Sequence, residues 1–323
     1  MTMKRKLGLM GATLIGATLL SPAVHAATAF DGINALVQNS FQSQFSEVQG
    51  VLAVGGNATL FNYGVDLFST PYGGAGGYGL VVGGNLTFSS GSVGTLVTNP
   101  AQTYYGGTLS GSSVNYTGGI NSSVNPLNFG ALFSHASSAS TALAGYSNTG
   151  ATTLNVGGIF GNPGGLTLTG DGSSAVQVFS IAGTDLASRN QIVVSNVPAA
   201  STILVNVTGA FAQLASVDST APFSPFGGNV LFNFADATQV NMANTGLYAS
   251  VLAPNALITS NSGHIQGVVI AKDWNGNFEV QPGAAPLLLA VPEPETYAMM
   301  LAGLGVMGFV ASRRRKARNS AAA

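Results

Sequence analysis

The phrase VLAVGGNATL at 51–60 returns as LVVGGNLTF at 80–88 and, more loosely, as LNVGGIFG at 154–161. Each copy sets a run of β-forming residues before a glycine pair and a second short strand after it. Near the C-terminal end, GLYASVLAPNALITSNSGHIQGVVIAKDWNG keeps that rhythm with other residues. Short strands joined by tight Gly and Asn corners suit the successive coils of a repeat in which every coil pairs with the next. The expected fold is therefore mainly β, a parallel β-solenoid (β-helix) with one long α-helix packed alongside. A β-sandwich is the alternative; its strands run longer and alternate with charged outer positions.

Charge supports the same reading. Asp, Glu, Lys and Arg make up 7% of the chain, against about 25% in an ordinary soluble domain. Stacked coils tolerate this because each strand's backbone is paired on both sides, leaving edges only at the two ends. Residues 27–290 hold two basic side chains, Arg189 and Lys272, against nine acidic ones, a formal charge of −7. Nucleic acid is excluded as a partner, since holding phosphates requires clustered Lys and Arg. The chain has no cysteine, so neither disulfides nor thiolate metal sites contribute.

One segment departs from the β rhythm. In NPLNFGALFSHASSASTALAGY, Phe129, Leu132, Phe133, Ala136, Ser140 and Leu143 recur at spacings of three and four behind a capping Asn128. That predicts an amphipathic helix over about 128–145. His135 falls off the apolar stripe and reads as a solvated helix residue.

The two ends carry addresses. Residues 1–26 read as a secretory signal peptide: Lys4, Arg5 and Lys6, then an apolar run, then SPAVHA with Ala26 before the cut. From Thr296 to Ser312 there are 17 uncharged residues, about 25 Å as a helix against a hydrocarbon core of about 30 Å. Arg313, Arg314, Arg315 and Lys316 follow, a membrane stop that keeps the C-terminus cytoplasmic. Before the apolar run, Pro292, Glu293 and Pro294 hold an extended, non-helical stretch. A plain tail anchor is the alternative reading. VPEP, a Gly-rich apolar run and RRRK, in that order, resemble the PEP-CTERM sorting signal. The resemblance implies a Gram-negative bacterium that makes extracellular polysaccharide, an exosortase as processing partner, and an inner-membrane precursor. It also implies only transient membrane contact, with release to the cell surface or extracellular matrix.

The body between the two addresses, residues 27–290, resembles a choice-of-anchor A domain. The resemblance is carried by VQGVLAVGGNATL, the helix after 126, VFSIAGTDLASRNQIVVSNVPAASTILVNVTG, LFNFADATQV and LYASVLAPNALITSNSGHIQGVVIAKDWNGNFEV. LAPNALIT and GHIQGVVIAK also resemble, locally, the ice-binding-like β-solenoids, which pack a long helix along the stack. Residues 291–323 form the sorting tail.

Catalytic chemistry finds little footing. His135 and His264 are the histidines outside the signal segment, and neither stands in a nucleophile elbow or at triad spacing. No catalytic residue and no cofactor is assigned. Asp273, Asn275, Asn277 and Glu279 alternate in KDWNGNFE and are weak candidates for hard-oxygen calcium ligation, although the glycine falls at the wrong place for an EF-hand. A calcium-assisted polysaccharide lyase is the alternative function. Ice binding requires a regular Thr ladder, and Thr152, Thr153, Thr167 and Thr169 do not recur coil after coil. The sequons NAT, NLT, NYT and NVT read as chance products of turn-rich composition. An exposed surface rich in Asn, Ser, Thr and Tyr suits sugars without charge; Tyr72, Tyr78, Tyr104 and Tyr105 read first as tyrosines packed on loops, and as sugar-stacking rings in the alternative. The expected function is a non-enzymatic surface or matrix protein, associated with exopolysaccharide or biofilm.

Overall fold

The computed structural model describes residues 30, 32–68, 77–95, 99–156, 164–187 and 189–284. The signal peptide and the tail, with Pro292, Glu293, Pro294, Arg313, Arg314, Arg315 and Lys316, lie outside the described residues. So does the apolar run at 296–312; among the described residues no helix is long and apolar enough to cross a membrane.

The first coil is β1 (Ile33–Val37), β2 (Ser40–Gln44) and β3 (Glu47–Val48). The second is β4 (Val51–Val54) and β5 (Asn57–Val65), and the third β6 (Tyr78–Val82) and β7 (Leu86–Thr95). After β8 (Asn99–Pro100) the fourth follows as β9 (Gln102–Tyr105), β10 (Leu109–Ser110) and β11 (Val114–Tyr116). Helix α1 (Phe129–Ala144) then leads to β12 (Ala151–Asn155), β13 (Gly165–Thr169), β14 (Val176–Ala182), α2 (Gly183–Leu186) and β15 (Gln191–Ser195). Coiling resumes with β16 (Thr202–Thr208), β17 (Phe211–Ala215), α3 (Thr220–Phe223), β18 (Val230–Asn233) and β19 (Gln239–Leu247). It closes with β20 (Ser250–Gln266), β21 (Val269–Gly276) and β22 (Glu279–Gln281).

Nineteen of these strands form one solenoid-like sheet in which every named pairing is parallel except β7 with β8. The facing antiparallel sheets of a sandwich are absent from the described residues. Each coil turns through three faces. On face A, β1, β4, β6 and β9 pair in sequence, and β14, β16, β18, β20 and β21 form a second run. The runs join where Ala35, Leu36 and Val37 pair with Val269, Ile270 and Ala271. The stack is thus two half-stacks meeting at a seam, and the chain enters in the middle.

Helix α1 makes this order possible. After the fourth coil the chain must return along the stack to begin again at β14. Nine strands on face A at about 4.8 Å span about 38 Å. The 16 residues of α1 cover about 24 Å of that. Asn128 caps the helix by accepting from the Ala131 N–H at 3.1 Å. Its stripe of Leu132, Phe133, Ala136 and Leu143 packs on the outward side chains Leu36, Ala53, Leu204, Leu231, Leu252 and Ile270 of face A. Each large side chain buried there contributes about 1.5–3 kcal/mol. Because α1 covers face A, strands such as VLAV and VLFN are buried on both sides, and so read as continuous apolar runs.

A separate small sheet holds β12, β13 and β15. The loose third copy of the repeat falls here: Leu154 and Asn155 end β12, which pairs antiparallel with β13, and 157–163 lie outside the described residues. The third stacked copy of the glycine-pair corner is instead Tyr105–Gly106–Gly107, whose Gly106 N–H donates to the Val82 carbonyl at 2.9 Å.

Candidate functional site

Face A is covered by α1, and face C (β3, β11, β22 and the later parts of β5, β7, β19 and β20) is short. Face B is the broad open surface. Its central outward rung runs Gln213, Asn241, Thr259, Asn275, Gln42, Thr59, Thr87, Ser110, one residue per strand and in unbroken register. No member carries a charge. At about 4.8 Å per strand the rung is about 34 Å long. Inward neighbours such as Phe41, Ala58, Leu86 and Trp274 fill the core, so strand alternation holds the polar set outward.

The corner between faces A and B carries a second ladder. The Asn85 N–H donates to Asn57 Oδ1 at 2.8 Å and the Thr108 N–H to Asn85 Oδ1 at 2.9 Å. Asp273 occupies the equivalent corner at the seam, accepting from the Ser40 N–H at 3.0 Å and the Ser40 hydroxyl at 2.7 Å. It also accepts from Asn39 Nδ2 at 3.2 Å.

The four weak metal candidates do not converge. Asp273 is tied to that corner, Asn275 stands mid-face, and Asn277 Oδ1 accepts from the Ser262 N–H at 3.2 Å at the next corner. Glu279 lies on face C, accepting from Gln281 Nε2 at 2.9 Å and from Gln49 Nε2. The alternate spacing that suggested a ligand set follows one coil around two faces. Among the described residues no three His, Asp or Glu side chains gather to hold a metal ion.

The sequons carry structure. Asn57 and Asn85 are the corner ladder and Thr59 and Thr87 the face-B rung, so NAT and NLT record one corner and one face twice. Asn206 of NVT is buried under α1, where its Nδ2 donates to the Leu143 carbonyl at 2.9 Å. The described tyrosines among Tyr72, Tyr78, Tyr104 and Tyr105 pack against the fold. Tyr104 is buried beneath α1, Tyr78 packs beside it, and Tyr105 packs against the main core; Tyr72 lies outside the described residues. His135 is half-buried, its ring 5.4 Å from that of Phe30. Thr152, Thr153, Thr167 and Thr169 sit in the small sheet, away from face B.

Face B is interrupted once, at the seam. There β2 and β21 pair only at Phe41 with Trp274 and Gln42 with Asn275, while β2 continues beside β5 as far as Phe61. Beyond Asn275 the strands part over a groove of about 430 Å³ lined by Gln42, Gln44, Thr59, Phe61, Asn275 and Asn277. A second hollow of about 710 Å³ adjoins it, bordered by Phe45, Glu47, Asn62, Asn277 and Glu279. Glu47 and Glu279 share the Gln49 amide as donor. Beneath them burial pushes the Tyr63 phenol far above its ordinary range, and both carboxylates add to the shift.

With this geometry in view, comparison with known proteins is decisive on one point. The family model described as "Putative Ice-binding-like adhesive domain" matches residues 26–282. The chain belongs to this ice-binding-like adhesive family. A second model, the PEP-CTERM protein-sorting motif, matches residues 290–316, which implies export, a membrane-anchored precursor, processing by an exosortase and a surface location. The adhesive-domain model is the one that matches the body, and it does not carry the choice-of-anchor A name. No curated protein and no solved structure matches the chain.

Proposed function

We propose that this adhesive-domain protein is a non-enzymatic component of the cell surface or extracellular matrix that holds to neutral exopolysaccharide through face B. One observation carries the reading: the uncharged rung of face B lies opposite the edge from which the tail departs. Asn34 Nδ2 donates to the carbonyls of Gly267 at 2.7 Å and Gln281 at 3.1 Å, tying the first and last strands together at the corner of faces A and C. The Ala284 carbonyl accepts from the Ser250 hydroxyl at the same corner. Seven residues lie between Ala284 and Pro292, at most about 28 Å of extended chain over eight Cα steps. A domain tethered there presents face B outward.

In this reading residues 1–26 are the signal peptide, 27–290 the adhesive domain, which choice-of-anchor A also describes, and 291–323 the sorting tail. Pro292, Glu293 and Pro294 form the stretch that the exosortase binds. Residues 296–312 hold the precursor in the membrane, and Arg313, Arg314, Arg315 and Lys316 stop its transfer. Biofilm is the setting in which such a protein works. Intact-mass measurement on protein recovered from the native cell surface tests the tail: residues 296–323 are expected to be missing. Replacing Pro292, Glu293 and Pro294 by Ala is expected to trap an uncleaved membrane form. A surface protein that retains 296–323 would make the tail a permanent anchor instead.

A further inference from the structure

Most coils turn from face B to face C through one residue in the left-handed region, Asn277 between β21 and β22 being an exception. That residue is small and polar in most coils: Asn62, Ser90, Ser113, Asn244 and Ser262, with φ between 48° and 61°. Asn and Ser accept this conformation at little cost, whereas a bulky side chain is strained in it. At the seam the same corner is Phe45, with φ 52°. Burial does not compensate the strain, because Phe45 is 62% exposed. A strained backbone under an exposed aromatic ring points to use of that ring.

The ring has a partner. Phe61, 45% exposed, stands edge-to-face with Phe45 at 5.3 Å and 85°. The pair forms a ridge between the two hollows at the seam, each within the size range of ligand clefts, about 300–1,000 Å³. Gln42, Gln44, Asn275 and Asn277 line the first hollow with amides able to donate and accept. Glu47 and Glu279 border the second. Among the described residues no Lys or Arg lines either hollow.

We propose that the Phe45–Phe61 ridge is a glycan-binding subsite on which a neutral pyranose ring stacks, its hydroxyls meeting the surrounding amides. The carboxylates repel uronic acids, so the site selects uncharged sugars. This inference rests on the adhesive reading of face B and locates its recognition element at the seam. A second copy of the chain is a poor occupant, since two rings fall far short of the roughly 800 Å² per partner that a stable interface buries.

The test is affinity electrophoresis of the full chain through gels containing dextran, mixed-linkage β-glucan or polygalacturonate. Retardation by a neutral glycan and none by polygalacturonate is expected. Phe45→Asn and Phe61→Thr are each expected to weaken retardation about tenfold, the order of one aromatic stacking contact. Phe45→Asn should melt no lower than the parent protein, because Asn restores the residue type of the other corners. Equal retardation by polygalacturonate, no retardation by either neutral glycan, or unchanged retardation in both variants overturns the proposal. A lower melting temperature for Phe45→Asn with retardation intact also overturns it, making Phe45 a packing residue. If both variants still bind the producing cell's own exopolysaccharide as the parent does, the aromatic site fails while the adhesive face stands.

Discussion

The half-stack of β1–β11 and the half-stack of β14–β22 build the same three-faced coil with different corners. In the first, coils approach so closely at the A–B corner that a Cβ on Gly83 would lie 2.3 Å from the Gly55 carbonyl oxygen, and one on Gly106 2.3 Å from that of Gly83. Only glycine fits, and the pair recurs in the sequence. In the second half the same corner is wide. Phe234, Ala237 and Ala256 turn into the core there, and the pairing of β20 with β21 shifts register between Ala253 and Leu257. A repeat is visible in sequence where backbone meets backbone, and is lost where side chains fill the corner.

The helix meets the two halves differently as well. Its first turn meets the first half where Phe129 lies beside Gly55, close enough that a Cβ there would sit 3.5 Å from the Phe129 ring. Its last turns are held to the second half by a buried polar clasp. The Ser140 hydroxyl donates to Asn233 Oδ1 at 2.6 Å, and Asn233 Nδ2 donates to the Ser140 carbonyl and to Asn206 Oδ1, both at 2.9 Å.

The sharpest way to break the comparison of corners is Gly83→Val. Overpacking a backbone contact is expected to cost about 3 kcal/mol. Asn255→Ala, at the exposed corner of the second half, where Nδ2 donates to the Ala235 carbonyl at 3.0 Å, should cost no more than about 1 kcal/mol. Urea unfolding followed by fluorescence of Trp274, the only tryptophan, measures both. Equal costs would mean that the corners do not differ.

Asn233→Ala sharpens the second contrast. It removes the buried partner of the Ser140 hydroxyl and of Asn206 Oδ1, at a cost of about 2 kcal/mol. The loss should appear as earlier proteolysis at the C-terminal end of α1, mapped by mass; first cleavage near Asn128 would place the weaker mooring at the other end.

The smallest effect concerns pH. In the first half, burial raises the phenols of Tyr63 and Tyr116. The unfolded chain releases those protons near pH 10 while the fold keeps them, so stability falls as pH rises beyond about 10. In the second half Asp171 is held well below the carboxylate range, first by the Ser174 hydroxyl, then by the Ser174 N–H, Gln177 and the Ser173 N–H. Asp218 is lowered chiefly by the Thr220 N–H. Their contribution is complete above about pH 4 and is lost as pH falls below it. Pepsin at pH 3 should therefore nick the second half first and subtilisin at pH 10.5 the first half. The same half opening at both extremes would remove the distinction.

Much of this was legible in particular residues. The spacing of Leu132, Phe133, Ala136 and Leu143 marks the stripe that α1 buries, and Gly55–Gly56 and Gly83–Gly84 mark stacked corners. The face-B rung was hidden because its members share a register and not a residue type: Gln42, Thr59 and Asn275 do not resemble one another. Phe45 and Phe61 carry no local mark of exposure and the tyrosines none of burial, because the cover is tertiary: Tyr104 points outward from face A and is buried only by α1. Asp273 suggested a ligand until its partners proved to be Ser40 and Asn39, more than 230 residues away in the chain.

By itself the sequence determined a β coil with glycine-pair corners, the helix at Phe129–Ala144, a domain nearly free of charge and a sorting tail, since each of these is a local pattern of size, polarity or backbone freedom. Tertiary structure alone decided that the chain starts mid-stack, that β1 closes on β21, and that the seam between them opens the groove on face B. Any parallel strand of suitable length offers the same row of N–H and C=O groups, so pairing across the seam leaves no local mark. It is selected only once α1 has carried the chain to the far end and the second half has coiled back to meet the first.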